Sequence, residues 1–431
     1  MVERDIAQRD PTGQAVGGGM PGNARRQFGR PPHTGRHIIL LRDGVGRRGA
    51  HALQKAAGLR VDVSSDSEGA TTLGPVALGE GRVYHRLGAA LVHADPDQLA
   101  ALGRQTGSGL ISIEPERFVD AIQYASDTGS SQAVHGWFGA AAAPQLLSEA
   151  QDTWGLQMTR VTASRFSGRG VRVAILDTGI DLQHPDFAQR AIVSQSFVPG
   201  APIDDGNGHG TYCAGVACGP TSPAHPPRYG IASGAELYVG KVIGDDGRGT
   251  DGSIMAGIDW AVRGGCAVVS LSVGTPVAPG EPYSPLYEQI AQRALAAGTL
   301  IMAAAGNDSL RPDQIAPVDH PANCPSILSV AAIDAYLRIA PFSCGGINAH
   351  GGEVNVAAPG VAIRSSWPRP ALYRTNSGTS MATPYAVGIA ALFAEANPSA
   401  RGTNLLSLLI RGAHSLALPA RDVGAGLIQA P

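Results

Sequence analysis

The chain has 431 residues, of which 43% are hydrophobic and only 16% are charged, with 57 glycines and 31 prolines. This composition is typical of a compact, loop-rich α/β protein and excludes a coiled coil or a chain that is disordered throughout. The formal net charge of -2 provides no overall positive field to attract nucleic acid, and no apolar run reaches the roughly 18 residues of a membrane span.

Residues 1–36 mix Gly, Pro and Arg without apolar periodicity, so we predict a disordered tail. The same stretch lacks the apolar block that a secretory signal requires. The sequence as written therefore favours a cytoplasmic protein, or a secreted one if it is exported by another route or if its N-terminus is incomplete.

Residues 37–119 combine strand-like and helix-like patterns and predict a small α+β unit. Asp95 stands where the N-cap of the second helix belongs. The predicted strands are 37–42, 84–93 and 110–114, and the predicted helices are 50–58 and 96–105.

A polar and then alanine-rich stretch, residues 120–152, has no sustained periodicity and is typical of an exposed linker. In residues 153–431, apolar runs alternate with helical patterns, which indicates a parallel sheet covered by helices on both faces. The predicted strands of this larger unit are 171–176, 236–242, 266–272, 298–305 and 326–333.

Three segments carry side chains suited to nucleophilic catalysis. Asp177 follows the strand VRVAIL, at the edge where open α/β sheets bind ligands. His209 lies among glycines where a helix is predicted to begin, and Ser380 stands in a Gly-Thr-Ser turn that leads into another helix. Each residue alone is more typical of a cap or a turn. Together they offer a nucleophile, a base that accepts its proton and an acid that orients the base.

These segments resemble the motifs of the subtilisin-like serine proteases, in the chain order of that family. They are DTGIDLQHPD at 177–186, HGTYCAG at 209–215 and GTSMATP at 378–384, and AAAGND at 303–308 is similar to the oxyanion-hole segment. The resemblance implies an α/β fold, a three-layer subtilisin-like fold with a central, mostly parallel sheet. It also implies a serine endopeptidase that works through an acyl-enzyme, with a triad of Asp177, His209 and Ser380 and with Asn307 as donor to the oxyanion.

The resemblance further implies a groove in which an extended peptide lies between two strands. The floor of the pocket for the residue before the cleaved bond is expected within 310–320. The expected groove residues are Ser272, Val273 and Gly274 on one wall, Gly247, Arg248 and Gly249 on the other, and Ala304, Ala305 and Gly306 in the oxyanion-hole segment.

Residues 37–119 more weakly resemble the inhibitory prodomain of this family, a small ferredoxin-like unit. In the family, its sheet packs on the enzyme and its C-terminal tail occupies the groove until cleavage. The chain is therefore expected to be a zymogen with its own prodomain as intramolecular inhibitor. The tail should begin within 110–119, and the sequence leaves the processing bond open within 118–152.

No cofactor is expected for catalysis, and structural calcium has one weak candidate ligand. Asp186 matches a calcium-ligand position of many relatives, but the nearby loop at 218–230 offers few oxygen ligands, and calcium takes six to eight. Cys213, one helical turn after His209, resembles a cysteine of thiol-sensitive relatives. Lys55 and Lys241 are the only lysines, which we interpret as a composition bias towards arginine.

Peptides or proteins are the expected substrates, and three alternatives remain open. A sedolisin would use a Glu and Asp pair as its base, against which His209 argues. A specialised peptidase or transpeptidase would process a single cognate peptide. An inactive binding scaffold would keep the groove without turnover.

Overall fold

The fold is described by a computed structural model over residues 33–42, 46–63, 75–105, 110–122 and 148–431. Most of the predicted tail and of the predicted linker lies outside these residues. Among the helices of the described ranges, none is both long and apolar enough to cross a membrane.

The N-terminal unit is a sheet with two helices on one face. Its strands pair in the order β5-β1-β4-β3-β2, antiparallel except for β2 and β3. The elements are β1 (His33–Leu41), α1 (Gly46–Ala57), β2 (Arg60–Val63), β3 (Glu80–Tyr84), β4 (Ala89–His93), α2 (Pro96–Gly103) and β5 (Leu110–Ala121).

Three sequence predictions for this unit are wrong in detail. The single strand predicted at 84–93 is a hairpin, because Gly88 takes a positive φ of 56° and closes a turn inside the apolar run. Strand β1 begins at His33, inside the predicted tail. Strand β5 continues to Ala121, well past the predicted end at 114, because it pairs with strands that are distant in the sequence.

The larger unit is built on seven parallel strands in the order β14-β13-β12-β10-β6-β8-β7, which confirms the predicted parallel sheet. They are β6 (Arg172–Asp177), β7 (Ile192–Ser196), β8 (Glu236–Lys241), β10 (Val268–Leu271), β12 (Leu300–Ala304), β13 (Leu328–Ile333) and β14 (Val356–Pro359). The shorter strands outside this sheet are β9 (Arg248–Thr250), β11 (Val273–Gly274), β15 (Ile363–Ser366) and β16 (Tyr373–Asn376).

Helices cover both faces of the parallel sheet and make three layers. Along β6, Val173 and Ile175 pack with the helices that begin at His209 and Thr379, whereas Ala174 and Leu176 pack with the helices that begin at Asp251 and Pro285 on the opposite face. The helices are α3 (Trp154–Met158), α4 (His209–Cys218), α5 (Asp251–Arg263), α6 (Pro285–Ala296), α7 (Thr379–Ala396), α8 (Thr403–Gly412) and α9 (Ala420–Val423).

The N-terminal sheet packs its free face on α5 and α6. Ile38 and Leu40 of β1 belong to the same apolar cluster as these helices, and Ile39 and Leu41 face the cluster of α1 and α2. Since residues on a strand alternate between faces, β1 contributes to both cores.

Two glutamates of β5 cap the helices beneath them. Glu116 is fully buried and accepts hydrogen bonds from Arg36 (Nε, 2.6 Å) and from the backbone N–H of Gly252 at the start of α5 (3.0 Å). Glu114 accepts from the Ser284 hydroxyl (2.7 Å) and the Leu286 N–H (3.1 Å) at the start of α6. Carboxylates at helix N-termini satisfy otherwise unpaired N–H groups and oppose the helix dipole.

Replacing Glu116 should loosen this interface. Glu116→Gln removes the charge that Arg36 pairs with and should lower the stability of the docked N-terminal unit by about 3 kcal/mol, the usual cost of breaking a buried ion pair. Amide hydrogen exchange of β1 and β5 in the intact chain measures this stability. The matched control Glu80→Gln removes an exposed pair with Arg60 and should cost less than about 1 kcal/mol. Equal losses in the two variants would contradict the capping role of Glu116.

Candidate active site

Asp177, His209 and Ser380 come from three elements that end or begin at one edge of the parallel sheet. Asp177 is the last residue of β6, His209 the first of α4 and Ser380 the second of α7. All three are fully buried. Helices α4 and α7 pack against each other, so the two N-termini lie together over the carboxyl ends of the strands.

The carboxylate of Asp177 is bonded to the ring of His209. Nδ1 of His209 lies 2.7 Å from Oδ1 of Asp177, and the same oxygen accepts the N–H of Thr178 at 2.8 Å. Burial acts to lower the pKa of His209, but the Asp177 carboxylate raises it, and the pKa ends well above its usual value of 6.5. The contact therefore fixes Nδ1 as the protonated nitrogen and leaves Nε2 to accept a proton.

Asp205, which the sequence interpretation missed, ties the loop after Asp177 to the start of α4. Its Oδ1 accepts from the Thr178 hydroxyl (2.8 Å) and the Gly208 N–H (2.7 Å), and its Oδ2 accepts from the N–H (2.8 Å) and hydroxyl of Thr211. The signal was present, because an aspartate a few residues before a helix start is a typical capping residue.

Lys241 is a second missed residue, and it is fully buried at the end of β8. Its ammonium group donates to the carbonyl oxygens of Thr178 and Asp204 (2.9 Å for the latter) and to the carboxylate of Asp245. Lys241, one of only two lysines, thus joins the loop that follows Asp177 to two neighbouring loops. It has a specific structural role that the composition did not indicate.

The hydroxyl of Ser380 contacts the N-terminal unit. It donates to the carbonyl oxygen of Ile122 and lies 3.2 Å from the carbonyl oxygen of Ser272. Nε2 of His209 is buried and has no hydrogen-bond partner among the described residues. Cys213 contacts both residues at other atoms, with Sγ 3.8 Å from Nδ1 of His209 and 3.6 Å from the carbonyl oxygen of Ser380.

The carboxamide of Asn307 is oriented by Thr379. Its Oδ1 accepts the N–H and the hydroxyl of Thr379, both at 2.9 Å. Since these donors require the oxygen, Nδ2 must face the other way, and it lies beside Gly378, two residues before Ser380. A buried amide donor next to the Ser380 backbone is suited to bind a negatively charged oxygen.

The end of β5 lies as an extended strand between β9 and β11. Ala121 donates its N–H to the Gly247 carbonyl (2.9 Å), and Ile122 donates to the Ser272 carbonyl (3.2 Å). The antiparallel register pairs Val119 with Gly249, Asp120 with both Arg248 and Gly274, and Ala121 with Val273.

Arg248 adds side-chain contacts to this strand. Its guanidinium lies 4.6 Å from the ring centre of Phe118, and its Nε lies 3.5 Å from Oδ1 of Asp120. All six predicted wall residues, Ser272, Val273, Gly274, Gly247, Arg248 and Gly249, therefore lie along the same segment of chain.

The predicted residues before Asn307 contact Asp319 and Thr379. Ala304 ends β12, and the Ala305 carbonyl accepts the N–H of Asp319 at 2.9 Å. Gly306 donates its N–H to the Thr379 hydroxyl at 3.2 Å and lies against the carboxylate of Asp319. Asp319, within the range expected for the pocket floor, is another buried residue that was not singled out.

The oxygens of Asp186 are taken by protein donors. Oδ2 accepts from the hydroxyls of Tyr229 (2.6 Å) and Tyr373 (3.0 Å), and Oδ1 accepts from the Ala224 N–H (2.7 Å). These donors occupy the positions that a cation would need, so the arrangement does not fit a calcium ligand. Among the described residues, the groups close enough to share a metal ion are Asp177 with His209 and Cys213, and Asp308 with Asp319 and Cys344.

The comparisons with known proteins agree on one family. The model of the subtilase family matches residues 168–426, more than half of the chain. The chain is similar to Subtilisin BL of Lederbergia lenta, with 37% identity over 281 residues that cover 64% of this chain and 96% of that protein. It is also 35% identical over 236 residues to Subtilisin E of Bacillus subtilis (strain 168), covering 54% of this chain and 58% of that protein.

A solved structure shares the fold. The crystal structure of a cold adapted subtilisin-like serine proteinase aligns with a TM-score of 0.53 and 30% identity, over 65% of this chain and 97% of that chain. The three-layer architecture and the family match confirm the subtilisin-like fold predicted from the motifs. The chain therefore belongs to the subtilase family of serine endopeptidases.

Proposed function

We propose that this chain is the zymogen of a serine endopeptidase, with Asp177, His209 and Ser380 as its triad and residues 33–122 as an inhibitory prodomain. One observation carries the proposal: the carbonyl of Ile122 is held on the Ser380 hydroxyl while the preceding residues pair with both groove walls. A peptide bond presented in this way is in the position of a substrate.

Catalysis follows from the atoms at the edge of the sheet. Ser380 Oγ attacks the carbonyl carbon of the substrate while Nε2 of His209 takes its proton, and Asp177 stabilises the imidazolium through Nδ1. This step requires the Ser380 hydroxyl to turn from the Ile122 carbonyl oxygen to His209. The oxyanion accepts hydrogen bonds from Asn307 Nδ2 and the Ser380 N–H, each worth about 3 kcal/mol of barrier.

The second half of the reaction regenerates the serine. Protonated His209 gives its proton to the leaving amine, the C–N bond breaks, and the acyl group stays on Ser380. Water then loses a proton to Nε2 and attacks the ester carbon, the bond between that carbon and Ser380 Oγ breaks, and His209 returns the proton to Oγ as the carboxylic acid product leaves. No metal or organic cofactor enters these steps.

The capped interface explains how the N-terminal unit inhibits the enzyme. Glu114 and Glu116 fix β5 on α5 and α6, and β5 then runs directly into the groove. A segment tethered in this way occupies the groove at high effective concentration and excludes other peptides.

We further propose that maturation cleaves the bond between Ile122 and Gln123. Ile122 is the residue whose carbonyl lies on Ser380 and whose N–H pairs with Ser272. Gln123 itself lies outside the described residues, as does most of the predicted linker at 120–152.

Substrate breadth follows from the way in which the groove binds. The hydrogen bonds from Ala121 and Ile122 to the groove walls are main-chain bonds, which any residue except proline can make. This favours a general endopeptidase over a peptidase or transpeptidase for one cognate peptide, or an inactive scaffold.

Ser380→Ala should accumulate unprocessed chain, because it removes the nucleophile for self-cleavage. Wild-type protein should be labelled at Ser380 by a fluorophosphonate and should yield a mature N-terminus at Gln123, both read by mass spectrometry. The control Ser415→Ala, at an exposed serine, should mature normally. Normal maturation of Ser380→Ala would contradict self-processing, and turnover of one peptide from a broad panel would favour a dedicated processing enzyme.

Asp177→Asn should lower kcat/KM by about 10⁴-fold, because the imidazolium loses its counter-charge and the tautomer is no longer fixed. Neutral His209 is the active base, so kcat/KM rises with pH through the pKa of His209. Since Asp177 raises that pKa, the variant should show its acid limb at lower pH than the wild type. A pH profile of the mature enzyme measures both effects. An acid limb that stays in place would argue against Asp177 as the partner of His209.

A further inference from the structure

The side chain of Ile122 is buried in a pocket beside Gly274, which the side chain of Asp319 also contacts. A Cβ built on Gly274 would lie 2.7 Å from Cδ1 of Ile122 and 3.3 Å from Cβ of Asp319. The two side chains therefore lie against the same glycine, and Ile122 and Asp319 are 0% and 1% exposed. Under the proposed function, on which this inference rests, this pocket receives the residue before the cleaved bond.

Asp319 is held beside Gly274 and Gly306 by its own backbone. Its N–H donates to the Ala305 carbonyl at 2.9 Å. This hydrogen bond places the backbone of Asp319 beside the oxyanion-hole segment. A Cβ on Gly306 would lie between 2.6 and 2.8 Å from the carboxylate atoms of Asp319. Glycine at 306 therefore leaves the space that the carboxylate occupies, and any other residue there would displace it.

Other acidic and sulfur groups lie close to Asp319. The carboxylates of Asp308 and Asp319 and the thiol of Cys344 approach one another within 4.8 Å. Burial, with the charges of Asp319 and Asp308, raises the pKa of Cys344 well above its usual value, so the thiol stays neutral. Two carboxyl groups thus lie together at this site, where a basic side chain would offer them a group of opposite charge.

We propose that Asp319 is a specificity-determining residue that selects arginine or lysine before the cleaved bond. Both side chains are longer than isoleucine and carry a positive charge at the end, so they can reach past Gly274 to the depth of the carboxylate. A charge-assisted hydrogen bond formed in a buried site is stronger than a neutral one. The bond should therefore favour basic residues over apolar ones of similar volume.

The isoleucine of the chain itself is compatible with this preference. Strand β5 is held in the groove by the whole interface with α5 and α6, so its cleavage is intramolecular and needs no favourable side chain in the pocket. A free peptide has no such tether and depends on the pocket for discrimination.

The test compares peptides that differ only in the residue before the cleaved bond: lysine, arginine, isoleucine, leucine and glutamate. Mature wild-type enzyme should cleave the lysyl and arginyl peptides with kcat/KM at least tenfold above the leucyl peptide. Asp319→Asn should reduce the ratio of lysyl to leucyl kcat/KM by 10- to 100-fold, roughly the worth of one charged hydrogen bond. Fluorophosphonate titration counts active sites, so a poorly folded fraction does not enter the ratio.

Two further variants serve as a control and as a second test of the same cluster. Asp313→Asn makes the same change at an exposed position of the same loop and should leave the ratio at its wild-type value. Asp308→Asn should lower the ratio of lysyl to leucyl kcat/KM less than Asp319→Asn does. It replaces Asp319→Asn in the test if that variant cannot be purified. An apolar preference in the wild type, or a ratio that Asp319→Asn leaves unchanged, overturns the proposal.

A metal site is the competing explanation of the acidic cluster. If calcium or zinc raises the Tm of the wild type but not of Asp319→Asn, and the lysyl preference is missing, the cluster is a cation site and the proposal fails. Absence of labelling at Ser380 would instead refute the protease function itself, which separates the two failures.

Discussion

The antiparallel pairing of Phe118–Ile122 with β9 and β11 is the interaction on which the arrangement of this molecule depends. Through β5, the N-terminal sheet and the groove strands become one hydrogen-bonded sheet of seven strands. The caps at α5 and α6 determine where β5 enters the groove, and the pairing determines which residue meets Ser380. The orientation of the N-terminal unit and the residue that lies at Ser380 both follow from this one strand.

Buried charged residues hold the loop that follows Asp177 in a defined position. Asp177 has few donors, but the loop that follows it is held by Asp205 from one side and by Lys241 from the other. Buried ions are costly unless they are bonded on several sides. The network therefore supports the loop that follows Asp177, next to its contact with His209.

The sequence allowed much of the larger unit to be predicted, because its strands are short apolar runs and its catalytic motifs are local. Contacts between distant segments could not be predicted in this way. The length of β5 is set by partners more than a hundred residues away, and the turn at Gly88 is hidden inside an apolar run. Asp319 looks like an ordinary loop aspartate until the fold brings it beside Gly274 and Gly306.

The tyrosine hydroxyls on Asp186 have a consequence for the conditions that this enzyme can tolerate. Burial and the neighbouring carboxylate raise the pKa of Tyr373 to about 12 and that of Tyr229 well above its usual value, so both remain donors in mildly alkaline solution. The loop that carries Ala224 is thus pinned by groups that belong to the chain and cannot be diluted or chelated away.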